Sequence, residues 1–334
     1  LSCVDEKMQA ANVHTNYKIM YDAYSKGVSY TNAFLILIGL WIVGFIAGGV
    51  LSMPIWVMMT GKGVMSMPAE LLKPENVNAV RVIQVISTGV TFFLPAFFTA
   101  LIINRRPAKL LGFTMRFNYR QLLLALGIMF AAAVTAAALA TLNELIPIPE
   151  NLADYFKKLE ENYSAQVEVI TNIRTFSDYA ISIVMIALLP ALFEETFFRG
   201  GMQNLLTRFS HKPWIAILIT SLIFSAIHLS YYGFLARVCL GIVLGLIYYY
   251  SQSLWLSIAA HFFNNAIAVT QMYVLIRQGK PVKEAMSETY PVWWGIIGAI
   301  VLYALFVLFK KHSAQAIKKY TPPEDRALEE KWIA

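Results

Sequence analysis

Long apolar runs dominate this chain and leave few folds open to it. They cover about 33–59, 80–103, 122–142, 178–207, 213–229, 234–250, 254–276 and 292–309. A run of about 20 apolar residues is the length a helix needs to cross a bilayer. In lipid every backbone polar group must be satisfied within the segment, so the runs must be helices. Of the 334 residues, 58% are hydrophobic and 14% charged, against about 25% charged in a soluble domain. The expected fold is therefore all-α: a polytopic membrane helix bundle of about eight transmembrane helices. The runs delimit a polar N-terminal tail over 1–32, a membrane domain over 33–309 and a basic tail over 310–334.

Charge sets the expected topology. The chain carries 27 basic and 20 acidic residues, net +7. In a membrane protein such an excess points to cytoplasmic loops and not to nucleic acid. The densest basic loop holds Arg105, Arg106, Lys109, Arg116 and Arg120. With that loop inside, the turn at Arg208, His211 and Lys212 and the run Lys310, Lys311, Lys318, Lys319 also fall inside. The acidic segment 143–177, with Glu144, Glu150, Asp154, Glu160, Glu161 and Glu168, falls outside. Both termini are then cytoplasmic. Within 143–177, Leu152, Tyr155, Phe156 and Leu159 recur at helical spacing, which predicts a surface helix. The first 30 residues are polar and mixed in charge, unlike a cleaved signal peptide. Cys3 and Cys239 have no metal spacing and no reason to pair. In the run 234–250, Gly241 and Gly245 stand four apart as a small-residue packing face, and the alanine-rich 122–142 run suits close helix contact.

Two adjacent carboxylates break the fourth run. Glu194 and Glu195 follow the uncharged stretch Tyr179–Leu189, and Arg199 comes four residues later. A charge at the bilayer centre costs about 2.5–3.5 kcal/mol on insertion scales, so these residues need a reason. On a helix Glu195 and Arg199 share a face and can pair. Glu194 lies about 100° round and cannot use that arginine in the same way. One carboxylate reads as structural and the other as free for chemistry.

Two histidines lie within the apolar runs, His228 and His261; the other three, His14, His211 and His312, lie at or outside run ends. A lone buried histidine is ordinarily a satisfied hydrogen-bonding group. Two of them beside the intramembrane acidic pair point to a site. Phe224 precedes His228 by one turn and can pack on its ring, while His261 and Asn265 share a helix face. Glu194 falls towards the cytoplasmic end of its run and His228 towards the outer end of its own, so staggered or tilted helices are needed to bring them level. The chain has no Gly-x-Ser-x-Gly, no His-Glu-x-x-His and no thiol-protease motif. A carboxylate and a histidine can together activate water, and a second histidine with an asparagine amide can donate to an oxyanion. The alternative is zinc held by Glu194, His228 and His261, with the metal activating the water. Buried Glu, Arg and His also suit a proton-coupled transporter, but no matched pair of broken helices appears in the two halves.

Glu194-Glu195-x-x-x-Arg199, Phe224-x-x-x-His228 and His261-x-x-x-Asn265, in that order on the fourth, fifth and seventh runs, resemble the three motifs of the CAAX-protease and bacteriocin-processing family. Its best-known members are the type II CAAX prenyl endopeptidases. The resemblance covers about 178–270. Phe198-Arg199-Gly200 and Ser253-Leu254-Trp255 are similar to its bacterial branch. The resemblance implies an intramembrane endopeptidase in a bacterial inner (plasma) membrane. Its substrate would be a membrane-associated or lipidated protein or peptide, with no cofactor required. Glu194 would be the general base with His228 beside it. His261 and Asn265 would form the oxyanion pocket, and Glu195 and Arg199 would support the site. A non-catalytic immunity or scaffold protein would keep the same fold.

The topology predicts that a cysteine introduced near Glu161 reacts with an impermeant maleimide on intact cells. Labelling that needs permeabilised cells would overturn it.

Overall fold

The computed structural model describes residues 24–171, 173, 175–280 and 291–320. The N-terminal tail up to residue 23, with Cys3 and His14, lies outside the described residues, as does the C-terminal tail beyond Tyr320. Among the described residues the regular structure is helical. The main helices are α1 Tyr30–Thr60, α2 Pro74–Ile103, α3 Tyr119–Glu144, α4 Glu150–Ile170, α5 Phe176–Ser210, α6 Pro213–Ala226, α7 Phe234–Ser251, α8 Leu254–Arg277 and α9 Val292–Tyr320.

All eight apolar runs are helices, and α4 is the expected surface helix. Six of the nine, α1, α2, α3, α5, α7 and α9, are long and apolar enough to cross a membrane. The other two runs differ for separate reasons. α6 has 14 residues and ends at Ala226, before His228. α8 has 24 residues but carries polar side chains along its length, among them Ser257, His261, Asn264 and Asn265. The protein is thus a polytopic helical membrane protein. The run Lys310–Lys319, expected as a tail, is the end of α9.

Local sequence starts and stops the helices. Ser29 caps α1 by accepting from the Asn32 amide, and Gly61 ends it with φ 69°, a left-handed turn that glycine adopts at little cost. α1 runs unbroken through Pro54. Asn118 and Gln121 form a reciprocal capping box at the start of α3.

Small residues bring the helices together. α3 packs most extensively on α9, where Gly295 and Gly298 seat against Ala131, Thr135 and Ala138. The alanine-rich run therefore does make a close helix contact. A Cβ on Gly241 would lie 3.0 Å from Ser221 Cβ, and one on Gly245 would lie 3.0 Å from Ile217 Cγ2. The expected glycine face of α7 thus receives α6. The same two glycines serve α5: Arg199 Nη2 donates to the Gly241 carbonyl at 3.1 Å and Gln203 Nε2 to the Gly245 carbonyl at 2.9 Å. Two residues four apart on α5 are bonded to two residues four apart on α7.

α5 departs from regular α-geometry twice, in wider π-helical turns over Ile183–Leu188 and Thr196–Gln203. Every residue from Thr196 to Gln203 is buried. Phe197 and Phe198 anchor this stretch against Phe92 and Trp41, with ring centroids 5.4 to 5.7 Å apart. Such aromatic pairs add about 0.5–1.5 kcal/mol beyond their area burial.

The α5–α6 hairpin answers the question of level. α5 continues to Ser210, so the glutamate pair lies near its middle and not at its cytoplasmic end. Glu195 precedes Ser210 by about as many residues as His228 follows Pro213. Each separation is about 22 Å along its helix. Folding the hairpin brings His228 to the depth of the glutamates without unusual stagger or tilt.

Candidate functional site

Glu195 on α5 is the hub of a buried polar cluster. The Arg199 guanidinium donates from Nη1 to Oε1 at 2.8 Å, and His261 donates from Nδ1 to the same oxygen at 2.9 Å. The Ser257 hydroxyl donates to Oε2. Glu195 and Arg199 have no solvent exposure, and His261 is almost fully buried. Arg199 is held further by the Gly241 carbonyl and lies 4.9 Å over the Phe224 ring. The pairing of Glu195 with Arg199 is as the helical spacing predicts. The carboxylate does more than pair, because it also orients His261 from a neighbouring helix.

Phe224, near the end of α6, joins the two histidines. Its ring centroid lies 4.9 Å from that of His228 and 6.0 Å from that of His261, each edge-on. His228 follows α6 in a turn, with its amide bonded to the Ser225 carbonyl and Nδ1 2.7 Å from the Phe224 carbonyl. A carbonyl only accepts, so Nδ1 of His228 carries the proton. The Glu195 carboxylate imposes the same on His261. In the neutral ring each histidine then presents its Nε2 lone pair. A charged ring would present a donor there instead.

The other two expected residues are less engaged. Glu194 is half-buried and has no hydrogen-bond partner among the described residues, yet it acts electrostatically on both His228 and Arg199. It is the uncommitted carboxylate beside the site. Asn265 sits one turn beyond His261 on α8, half-buried. Its Oδ1 accepts from Asn264 Nδ2 at 3.4 Å, and among the described residues its own Nδ2 has no partner.

Zinc would require Glu194, His228 and His261 to converge on one point. Among the described residues no three His, Cys, Asp or Glu side chains form a group that could hold a metal ion. The residues present do not fit the ion.

Ser257 is the site residue that sequence reasoning missed. It stands four residues before His261, so Ser257-x-x-x-His261-x-x-x-Asn265 lies along one face of α8. That periodicity was the available signal, but a serine in an apolar run usually bonds its own backbone.

Residues 176–267 match the family model of the Rce1-like type II CAAX prenyl endopeptidases. The matched stretch begins with α5 and ends on α8 just past Asn265, so it contains every residue described above. No curated protein and no solved structure matches the chain. The class that fold and match define is a polytopic integral membrane protein whose residues 176–267 are similar to that family model.

Glu195→Gln removes the counter-charge of a buried arginine and one acceptor for His261. Breaking one side of a buried pair costs about 3–5 kcal/mol. The variant should therefore unfold at clearly lower temperature in detergent, read by tryptophan fluorescence. A melting temperature equal to wild type would refute the structural role of the pair.

Proposed function

We propose that this protein is an intramembrane endopeptidase in which Glu194 and His228 activate a water molecule. The single observation that carries the reading is the division between the adjacent carboxylates. Glu195 is consumed by three donors, while Glu194 keeps its lone pairs free within electrostatic reach of His228. A free carboxylate beside a histidine whose Nε2 is unprotonated is a competent proton acceptor.

In the proposed reaction Glu194 takes a proton from water as the oxygen attacks the scissile carbonyl carbon. The C–O bond forms and the carbonyl electrons move to the oxygen. His261 and Asn265 donate to that oxyanion, His261 from Nε2–H of its charged ring and Asn265 from its free amide. Glu195, accepting from Nδ1–H, stabilises the charged ring. Collapse of the intermediate breaks the C–N bond, and the proton held by Glu194 passes to the leaving amine. Arg199 keeps Glu195 ionised and in place, and the protein's own residues suffice without a metal.

The substrate class follows from the matched family and from the depth of the site. We assign a membrane-associated or lipidated protein or peptide. The resemblance to the bacterial branch supports a bacterial inner membrane, and the basic loops support two cytoplasmic termini. Against a transporter stands the absence of a matched pair of broken helices in the two halves of the sequence.

The test is cleavage of prenylated and unprenylated peptide libraries by purified protein in detergent. Glu194→Gln should lower turnover by about 10²–10⁴-fold, with the melting temperature unchanged. Chelator should leave wild-type activity intact. Activity lost on chelation and restored stoichiometrically by zinc would overturn the metal-free mechanism. A wild-type protein that cleaves nothing would favour the scaffold reading.

Asn265→Ala removes one oxyanion donor, a loss of typically about 2.7–4 kcal/mol of transition-state stabilisation. Its kcat should fall by about a hundred- to a thousandfold with KM little changed. An equal rise in KM with constant kcat would instead assign Asn265 to substrate binding.

A further inference from the structure

His228 is not on a helix, so its position depends on the turn 227–233 and on whatever holds that turn. Leu229 within it takes φ 51°, a left-handed conformation that a branched side chain enters only when its surroundings impose it. The surroundings come from outside the family-matched residues. Asn143, buried at the end of α3, donates from Nδ2 to the Tyr231 carbonyl at 3.0 Å and accepts at Oδ1 from the Leu235 amide at 3.2 Å. One amide side chain thereby bridges both ends of the segment leading into α7.

α4 adds three contacts from a single face. Ser230, itself buried, donates its hydroxyl to Glu160 Oε2 at 2.8 Å. Tyr231 stacks on Phe156 at 4.7 Å between centroids, and the Arg237 guanidinium lies 5.2 Å over the Tyr163 ring. Arg237 also donates to the Ser230 carbonyl at 3.3 Å and acts electrostatically on His228. Phe156, Glu160 and Tyr163 are spaced i, i+4 and i+7, one stripe of the helix. Leu152 and Tyr155, which carry the apolar periodicity in the sequence, are exposed. The face of α4 is thus chosen by the His228 turn, with a carboxylate where an apolar side chain would otherwise pack.

We propose that Glu160, acting through Ser230, is a positioning residue for His228, and that α4 is in this way a working part of the site. The proposal rests on the proteolytic reading above for its kinetic consequence, but not for its structural one. Losing the Glu160–Ser230 bond frees the turn by a few tenths of an ångström or more. A misplacement of about 1 Å can cost about a hundredfold in rate.

The experiment reads both consequences in the full chain. Glu160→Ala should lower kcat about ten- to a hundredfold, with KM and melting temperature unchanged, while Glu160→Gln, whose amide oxygen still accepts from Ser230, should restore most of it. Combining Glu160→Ala with Ser230→Ala should be no worse than Glu160→Ala alone. Independently of any cleavage, the rate at which diethyl pyrocarbonate modifies His228, followed by peptide mass spectrometry, should change in Glu160→Ala and return in Glu160→Gln. If the wild type cleaves nothing but His228 reactivity follows this pattern, the proteolytic reading falls and the positioning role stands. Unchanged His228 reactivity in Glu160→Ala, or a loss that tracks melting temperature and is not rescued by glutamine, would overturn the positioning role.

Discussion

The ion pair between Glu195 and Arg199 is the contact on which the rest of the site depends. Two charges with no exposure at mid-helix depth are costly unless each lone pair and proton is met. Here Oε1 accepts from Arg199 and His261, Oε2 accepts from Ser257, and the second guanidinium nitrogen reaches the Gly241 carbonyl, while the buried Nε has no partner among the described residues. Satisfying the pair recruits three helices, α5, α7 and α8. A substitution that removed both charges could fold well and still lose the orientation of His261. In this protein a buried pair specifies geometry more than it adds stability.

The aromatic cluster gives that geometry its rigidity. Phe197 and Phe198 follow Glu195 after Thr196 and are fully buried, and Phe224 touches Phe198, Arg199 and both histidines. The polar hub therefore sits inside an apolar wall that excludes water from Glu195 while leaving Glu194 half-exposed on the adjacent side. Two neighbouring residues with the same functional group end in different environments because one helix face points at the bundle centre and the next does not. The glycine contacts at Gly241 and Gly245 let α6 and α7 close around this wall.

Much of this was legible in the sequence. The apolar runs marked where the helices lie, because hydropathy over a span is an average and averages are robust, although α9 runs on to Tyr320 through its basic end. The i, i+4 pairing of Glu195 with Arg199 survived even the π-helical turn. Three features were not legible. The level of the glutamates was hidden, since Glu194 read as lying towards one end of its span, whereas it lies near the middle of α5. The link from Glu195 to His261 crosses 66 positions, and no local pattern carries it. The inward face of α4 was not legible, because Leu152 and Tyr155 carry the apolar periodicity yet are exposed, whereas Glu160 bonds to Ser230.

The shortness of α6 has a consequence for the lipid around it. Fourteen residues span about 21 Å, against a hydrocarbon thickness of about 30 Å. Backbone that leaves a helix at such depth is tolerated only where protein or water lines it. The turn after α6 is lined on one side by α3 and α4, so the remaining side is where solvent must enter. The bilayer beside α6 has to thin, or a wet vestibule has to reach down to it. Membrane thickness then becomes a physical variable of the site: a thinner leaflet shortens the path of water to His228, and a thicker one lengthens it.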